Sequence, residues 1–312
     1  MIPALPDRLT ADVFAVLADG VKKRFGLVDA LAGATLTVPT GAVYLLAGSN
    51  GAGKTTLLKT LIGLVRPDAG SVRVLEREPD RDAVAIRART GFCPDDVVHF
   101  GRRLPLSGLL AYHAGHYPSW DGQYAARLSA AFGLSLLRPC HTLSRSEIRR
   151  SSLVMALAHR PPLLLLDEPL AGLDPLMRDE VLGILSDHLA QFETTLLVAA
   201  HEASELAPLV SHVGVLRAGR FLLQTPLPEL RESLRRYQVQ LPASWSADPL
   251  LSAQVLHRIE AERELEWTLW GDEPQFIAAF EAAGAAVRSV SRLSLDDSIR
   301  VVLRGTRPAP DA

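Results

Sequence analysis

Hydrophobic positions along the chain follow two periods. Residues 13–17, 34–38 and 71–75 alternate or run apolar, as strands do. Val43–Ala47 and residues 163–166, 196–200 and 213–216 are short and almost continuously apolar, the pattern of strands buried on both faces. Between them the spacing turns helical. Leu57, Leu58, Leu61 and Ile62 share one face of a helix predicted over 55–64, which ends at Arg66-Pro67. From His99 to about Arg160 strand signals vanish and helical periodicity takes over. Strands alternating with helices predict an α/β domain with a mostly parallel central sheet, here carrying an inserted helical subdomain.

After Gln224 the texture changes. Pro226 and Pro228 mark a linker. Beyond it, 237–241, 265–270 and 286–290 read as strands, and 272–283 and 295–303 as helices. This is a small α+β appendage with no defensible nucleophile–base pair or metal cluster. The chain shows no internal repeat and no low-complexity tract.

Composition narrows the function classes. The 312 residues carry 33 Lys+Arg against 35 Asp+Glu, a formal net charge of −2. A phosphate-backbone partner favours a basic excess, so no nucleic-acid partner is expected. Mean hydropathy is +0.14, yet a bilayer helix needs about 20 mostly apolar residues. The strongest runs stop at once, one at Asp167 and Glu168, the other at His201. The N-terminus lacks the basic start and apolar stretch of a signal peptide. A cytoplasmic chain is therefore expected. Cys93 and Cys140 have no metal-ligand spacing and are expected to be packing residues.

The sharpest motif is GSNGAGKT at 48–55, which fits G-x-x-x-x-G-K-[ST] and lies between a predicted strand and a predicted helix. Ser49, Asn50, Gly51, Ala52, Gly53, Lys54, Thr55 and Thr56 would wrap phosphate oxygens with backbone N–H groups at a helix N-terminus. Lys54 adds a charge at the β/γ-phosphates, and the Thr55 hydroxyl is a Mg²⁺ ligand. The second motif is LLLLDE at 163–168. A buried strand delivers two carboxylates to its C-terminal end, where ligands bind in open α/β sheets. Asp167 suits Mg²⁺ and Glu168 suits the general base for an attacking water.

Together with AGLDP at 171–175 and His201, these motifs resemble, in order and spacing, the ATP-binding subunits of ABC transporters. The resemblance runs from about Val13 to Leu230. YPSWD at 117–121 and LSLDDSIRVVL at 293–303 suggest the bacterial ABC-2 exporter type, near its YtrB-like branch. The resemblance implies a P-loop NTPase (RecA-like) α/β core with an N-terminal antiparallel β subdomain. It implies an ATP-binding domain over 11–228, with the helical subdomain inserted at about 96–160, and an accessory domain over 231–312. It further implies ATP and Mg²⁺ as ligands, and ATP-driven pairing with a second ATP-binding subunit. A separate transmembrane permease would hold the pair at the inner face of the cell membrane.

Residue by residue, Phe25 falls where the family stacks an aromatic ring on adenine, although a core phenylalanine fits the position too. His201 falls where a histidine contacts the γ-phosphate and orients Glu168. Asp174 falls in the loop that crosses to the partner subunit.

Two positions depart from the family. Its LSGGQ segment reads Leu143-Ser144-Arg145-Ser146-Glu147 here. Ser144 keeps the phosphate-contacting hydroxyl, and the N–H of Ser146 can still donate. If position 145 or 146 needs positive φ, the lost glycines cost about 1 kcal/mol. Arg145 either adds charge near the nucleotide or points to solvent. The family's glutamine between core and helical subdomain aligns with Asp95, with Asp96 as an alternative occupant. Asp offers a charged oxygen to a metal but no amide donor. Three functions stay open: the exporter ATPase, a catalytically weak regulatory subunit of a heterodimer, and a soluble ABC ATPase of repair or translation.

Overall fold

The computed structural model describes residues 14–96, 104–242, 245, 251, 254–261 and 264–305. The expected strand start at Val13, the domain start at 11 and residues 97–103 of the helical insert lie outside the described residues.

The described residues open with a hairpin of β1 (Phe14–Phe25) and β2 (Val28–Pro39). Both strands outrun the expected 13–17 and 34–38. The tip residues Lys22, Lys23 and Arg24 are too polar to read as strand but pair across the hairpin. β3 (Val43–Ala47) leads into α1 (Lys54–Leu61). Next come β4 (Ala69–Val74), α2 (Pro79–Ala88) and β5 (Thr90–Cys93). The last two escaped the pattern, one because it is highly charged, the other because it is four residues long.

The insert supplies α3 (Leu106–Ala114), α4 (Gly122–Ala131) and α5 (Arg145–Leu157). It is helical as expected, with no strand among its described residues. The chain then alternates through β6 (Leu163–Asp167), α6 (Pro175–Gln191), β7 (Thr195–Ala200) and β8 (His212–Arg217). β9 (Arg220–Pro226) and α7 (Leu227–Ser233) replace the expected linker. Pro226 caps α7 and Pro228 lies in its first turn, where a missing N–H costs nothing. The remainder is β10 (Leu234–Gln240), β11 (Val255–Ala261), β12 (Glu264–Trp270), α8 (Glu273–Ala282), β13 (Ala286–Arg292) and α9 (Leu295–Arg304).

The described residues form three sheets. The six-stranded one has the order β5-β6-β7-β3-β8-β9, with β9 alone antiparallel. An antiparallel sheet, β2-β1-β4, is the N-terminal β subdomain. A second, β11-β12-β10-β13, carries α8 on one face through Tyr237, Trp267, Phe276 and Phe280.

The central strands are apolar throughout because both faces are covered. Leu164, Leu166, Leu196 and Val198 face a core shared with the helical insert and α6. Leu163, Leu165, Leu197 and Ala199 face a second core shared with α1 and the N-terminal sheet. Each fully buried leucine contributes roughly 1.5–3 kcal/mol over an exposed one. Cys93 and Cys140 are free and buried, as expected.

The C-terminal residues do not stand apart from the core. Leu295 and Ile299 of α9 join the core cluster that holds Ala203, Leu206 and Val215. The Arg217 Nη1 donates to the Leu303 carbonyl at 2.6 Å. α9 thus packs against the core of the six-stranded sheet, although it follows the small sheet in sequence.

Two histidines are sealed inside. His188 sits between the Tyr124 hydroxyl at 2.8 Å and Thr194 Oγ1 at 3.3 Å. His159 lies against the Tyr117 ring, with centroids 4.1 Å apart. Burial pushes both imidazoles down to about 4. The unfolded chain takes up these protons below about pH 6.5, the folded chain only near pH 4. The fold should therefore lose about 1.4 kcal/mol per pH unit per histidine as pH falls through that window. Urea unfolding across the window checks this, and His188→Gln should flatten the slope by one proton.

Candidate functional site

Three neighbouring parallel strands deliver the site. β6, β7 and β3 lie side by side, with Asp167 paired to Ala199 and Ala47 paired to Ala200. Their C-terminal ends therefore align, and the loops that follow them converge. The carboxylates follow β6, His201 follows β7, and the glycine-rich loop follows β3.

The loop's conformation needs its glycines. Gly53, the N-cap of α1, has φ 106. A Cβ there would lie 2.3 Å from the Ala30 carbonyl oxygen, and one on Gly48 would lie 2.4 Å from that of Leu216. No side chain caps α1, so the first-turn N–H groups stay available to an anion. Lys54 is buried, and its Nζ donates to the Gly48 carbonyl at 2.8 Å and sits 3.4 Å from Glu168 Oε1.

The loop lines a cavity of about 430 Å³ with Val28, Ala30, Asp95, Asp167 and Glu168. The Thr55 hydroxyl donates to Asp167 Oδ2 at 2.6 Å. Asp167 Oδ1 is buried and has no hydrogen-bond partner. Burial raises the Asp167 pKa, and the nearby carboxylates of Asp95 and Glu168 add to this against the pull of Thr55 and Lys54. A buried, unpartnered carboxylate oxygen beside a hydroxyl fits a hard divalent cation, which takes oxygen ligands.

Glu168 has φ 50, in the left-handed region. For a non-glycine residue this costs about 1–2 kcal/mol. Its N–H donates to the Ala199 carbonyl at 2.9 Å, which holds the turn. The turn lets one carboxylate face both Lys54 and His201, whose Nδ1 is 2.8 Å from Oε2.

Asp95 lines the same cavity, but its Oδ1 is taken by Arg149 Nη2 at 2.9 Å. Arg149 is buried, and also donates to the Pro94 carbonyl at 2.8 Å and the Asp167 carbonyl at 3.4 Å. This guanidinium ties α5 to the end of β6. The sequence reading missed it, because one arginine in an Arg-Arg pair carries no signal of burial. Asp96 is instead exposed, 3.8 Å from Lys59.

Ser144, Ser146 and Asp174 lie outside the cavity. Ser144 caps α5: its Oγ accepts from the Glu147 N–H at 3.2 Å, while its own N–H donates to Glu147 Oε2 at 2.8 Å. Burial works to raise the Glu147 pKa, but the Ser144 donors and Arg138 outweigh it and hold the carboxyl low. Arg145 and Ser146 are helical, so the cost anticipated for a non-glycine residue at positive φ does not arise. Arg145 is exposed and lines a neighbouring hollow of about 350 Å³ with Asp95 and Arg149. Asp174 caps α6 by accepting from the Met177 N–H at 3.0 Å. Phe25 is not a core residue: it is 50% exposed at the hairpin tip, paired with the cavity-lining Val28.

A family model described as ABC transporter matches residues 8–171, more than half of the 312. The chain belongs to the ABC transporter family. It is an ATP-binding, ATP-hydrolysing subunit of that family. It is 34% identical over 245 residues to an aliphatic sulfonates import ATP-binding protein of Nocardia farcinica, covering 75% of this chain and 94% of that protein. It is 33% identical over 273 residues to a daunorubicin resistance ATP-binding protein of Streptomyces coeruleorubidus, covering 79% and 85%. A solved ATP-binding subunit of an ABC transporter shares the fold with a TM-score of 0.63 at 24% identity, covering 70% of this chain and 92% of that one. A dimeric ATP-binding cassette bound to ADP and Pi aligns with a TM-score of 0.60 at 21% identity, covering 68% and 98%. Importers and a resistance protein are thus matched alike. Among the described residues no helix of this ABC subunit is long and apolar enough to cross a membrane.

Because Lys54 is the one cation in contact with both the loop and Glu168 among the described residues, Lys54→Ala should weaken ATP binding by at least about tenfold. Titration with a fluorescent ATP analogue checks it. Loss of the Ser144 cap in Ser144→Ala should cost about 1 kcal/mol in urea unfolding.

Proposed function

We propose that this subunit hydrolyses ATP at Glu168 and powers an ABC-2 type exporter of the YtrB-like branch, working as a pair beneath a separate permease. The observation that carries the hydrolytic reading is the contact set of Glu168. One carboxylate oxygen faces Lys54 in the cavity lined by the phosphate loop, and the other faces His201, which lines a neighbouring hollow with Glu168.

The roles follow from this arrangement. The loop N–H groups and Lys54 hold the phosphates. Thr55 and Asp167, whose Oδ1 is buried without a partner, would hold Mg²⁺, and Asp95 adds a nearby carboxylate whose charge Arg149 already shares. Bound Mg²⁺ would neutralise charge on the β- and γ-phosphate oxygens. Glu168 accepts the proton of the attacking water, and His201 keeps its carboxylate turned toward the phosphate end of the cavity. Phe25, at the hairpin tip, offers a ring face to adenine. Ser144, Ser146 and Asp174 lie outside this chain's own cavity, which suits contacts to nucleotide held by a second subunit.

The exporter reading rests on YPSWD, on the 293–303 segment and on similarity to the resistance protein. A resident catalytic defect is not needed to explain the altered Ser144 segment, since the helix there is capped and unstrained. The cytoplasmic, membrane-peripheral placement follows from the permease partner.

Glu168→Gln keeps the shape and removes the base. It should retain ATP binding while turnover falls by about a hundredfold or more, measured as phosphate release. Unchanged turnover sinks the assignment. Reconstitution with a candidate permease, followed by vesicle flux, tests direction.

A further inference from the structure

The turn after His201 is held from outside the ATP-binding core. The Asp296 carboxylate, in the first turn of α9, reaches across 93 residues of sequence to this turn. Its Oδ1 accepts from the Ala203 N–H at 2.7 Å. Its Oδ2 accepts from the Ser204 N–H at 3.3 Å and from the Ser204 hydroxyl. These are the orphan donors at the start of the short 3₁₀ turn Ser204–Leu206. A remote carboxylate thus supplies the cap that the local sequence lacks.

The carboxylate is itself well seated. Leu295 and Ile299 flank it in the core cluster that contains Ala203, Leu206 and Val210. Ser294 caps the helix through the Asp297 N–H at 3.1 Å, which fixes the direction of its first turn. The other side of the turn is tied to α6: Glu205 Oε1 accepts from Arg178 Nη1 at 2.6 Å, and Arg178 Nε donates to the Leu173 carbonyl at 3.0 Å. The backbone leading from His201 is therefore gripped two residues downstream, between α6 and α9. His201 itself is 45% exposed in its side chain, so packing does not hold its ring.

We propose that Asp296 is a positioning residue of the ATPase centre. It fixes the 203–204 backbone so that His201 meets Glu168, and thereby makes the hydrolysis rate answer to the seating of the C-terminal helix. This rests on the reading of Glu168 and His201 as hydrolytic residues. It assigns a role to the 293–303 segment, which was otherwise only a mark of kinship. A small displacement of a positioned group costs up to about a hundredfold in rate without weakening substrate binding.

The test uses the full-length protein and four variants: Asp296→Ala, Asp296→Asn, His201→Ala and the double variant Asp296→Ala with His201→Ala. Asp296→Ala should lower kcat about tenfold with the KM for ATP within about twofold. Asp296→Asn keeps an acceptor for the Ala203 N–H and should recover part of the loss. With His201 already removed, Asp296→Ala should produce no further fall, since its effect passes through that ring. Should Asp296→Ala fail to fold, Ser204→Ala removes the hydroxyl contact alone and should give a smaller fall in kcat with KM unchanged. An unchanged kcat in the folded variants, a KM that rises in step, or additive losses in the double variant each overturn the proposal. A fall in rate for His201→Ala with none for Asp296→Ala overturns the positioning role alone. An unchanged rate for His201→Ala overturns the hydrolytic reading of that residue, and the positioning role with it.

Discussion

The parallel register of β6, β7 and β3 is the constraint on which the site depends. Hydrogen bonding pairs Asp167 with Ala199 and Ala200 with Ala47, so three chain segments far apart in sequence end at one level. The acid pair, the histidine and the phosphate loop then need only short turns to meet. Parallel strands require crossover elements, and these cover both faces of the sheet. The same geometry that aligns the site therefore buries the strands that carry it.

One strained residue stands where that alignment is used. Glu168 is the one residue between β6 and the following turn with a left-handed backbone, and it bridges Lys54 and His201. Gly53 adopts positive φ at the head of α1, where a side chain would strike Ala30. The Glu168 conformation is held by the neighbouring strand, through its N–H to the Ala199 carbonyl, whereas that of Gly53 is open to glycine itself. Strain of this kind survives only when the surrounding structure over-determines it.

The Ser144 segment shows how a motif can change while its backbone is kept. Glycine is replaced at both central positions, yet Arg145 and Ser146 take ordinary helical angles. Glu147 completes a capping box with Ser144, and Arg138 holds the same carboxylate at 2.5 Å. The replacement of the family's glutamine by Asp95 is likewise matched, by a buried guanidinium from α5. Charge beside Asp167 and Glu168 is neutralised within the fold, which limits the electrostatic cost of placing a third acid there.

Much of this was legible in the residues. The continuous runs at 43–47, 163–166 and 196–200 announced strands covered on both faces, and the phosphate loop, Asp167, Glu168 and His201 could be named from order and spacing. Strands at the polar hairpin tip, the four-residue β5 and the charged α2 were not legible, because pairing and packing there override weak local patterns. Pro226 and Pro228 suggested a linker but begin a helix, since a proline in the first turn forfeits no hydrogen bond. By itself the sequence determined the periodic elements and the chemistry at the strand ends, because these depend on residue type and short spacing. Only the tertiary structure decided that Arg149 holds Asp95, that the strained Glu168 faces two partners, and that Asp296 caps the turn after His201. Each of those contacts joins groups distant along the chain, and no local spacing encodes a distance closed by folding.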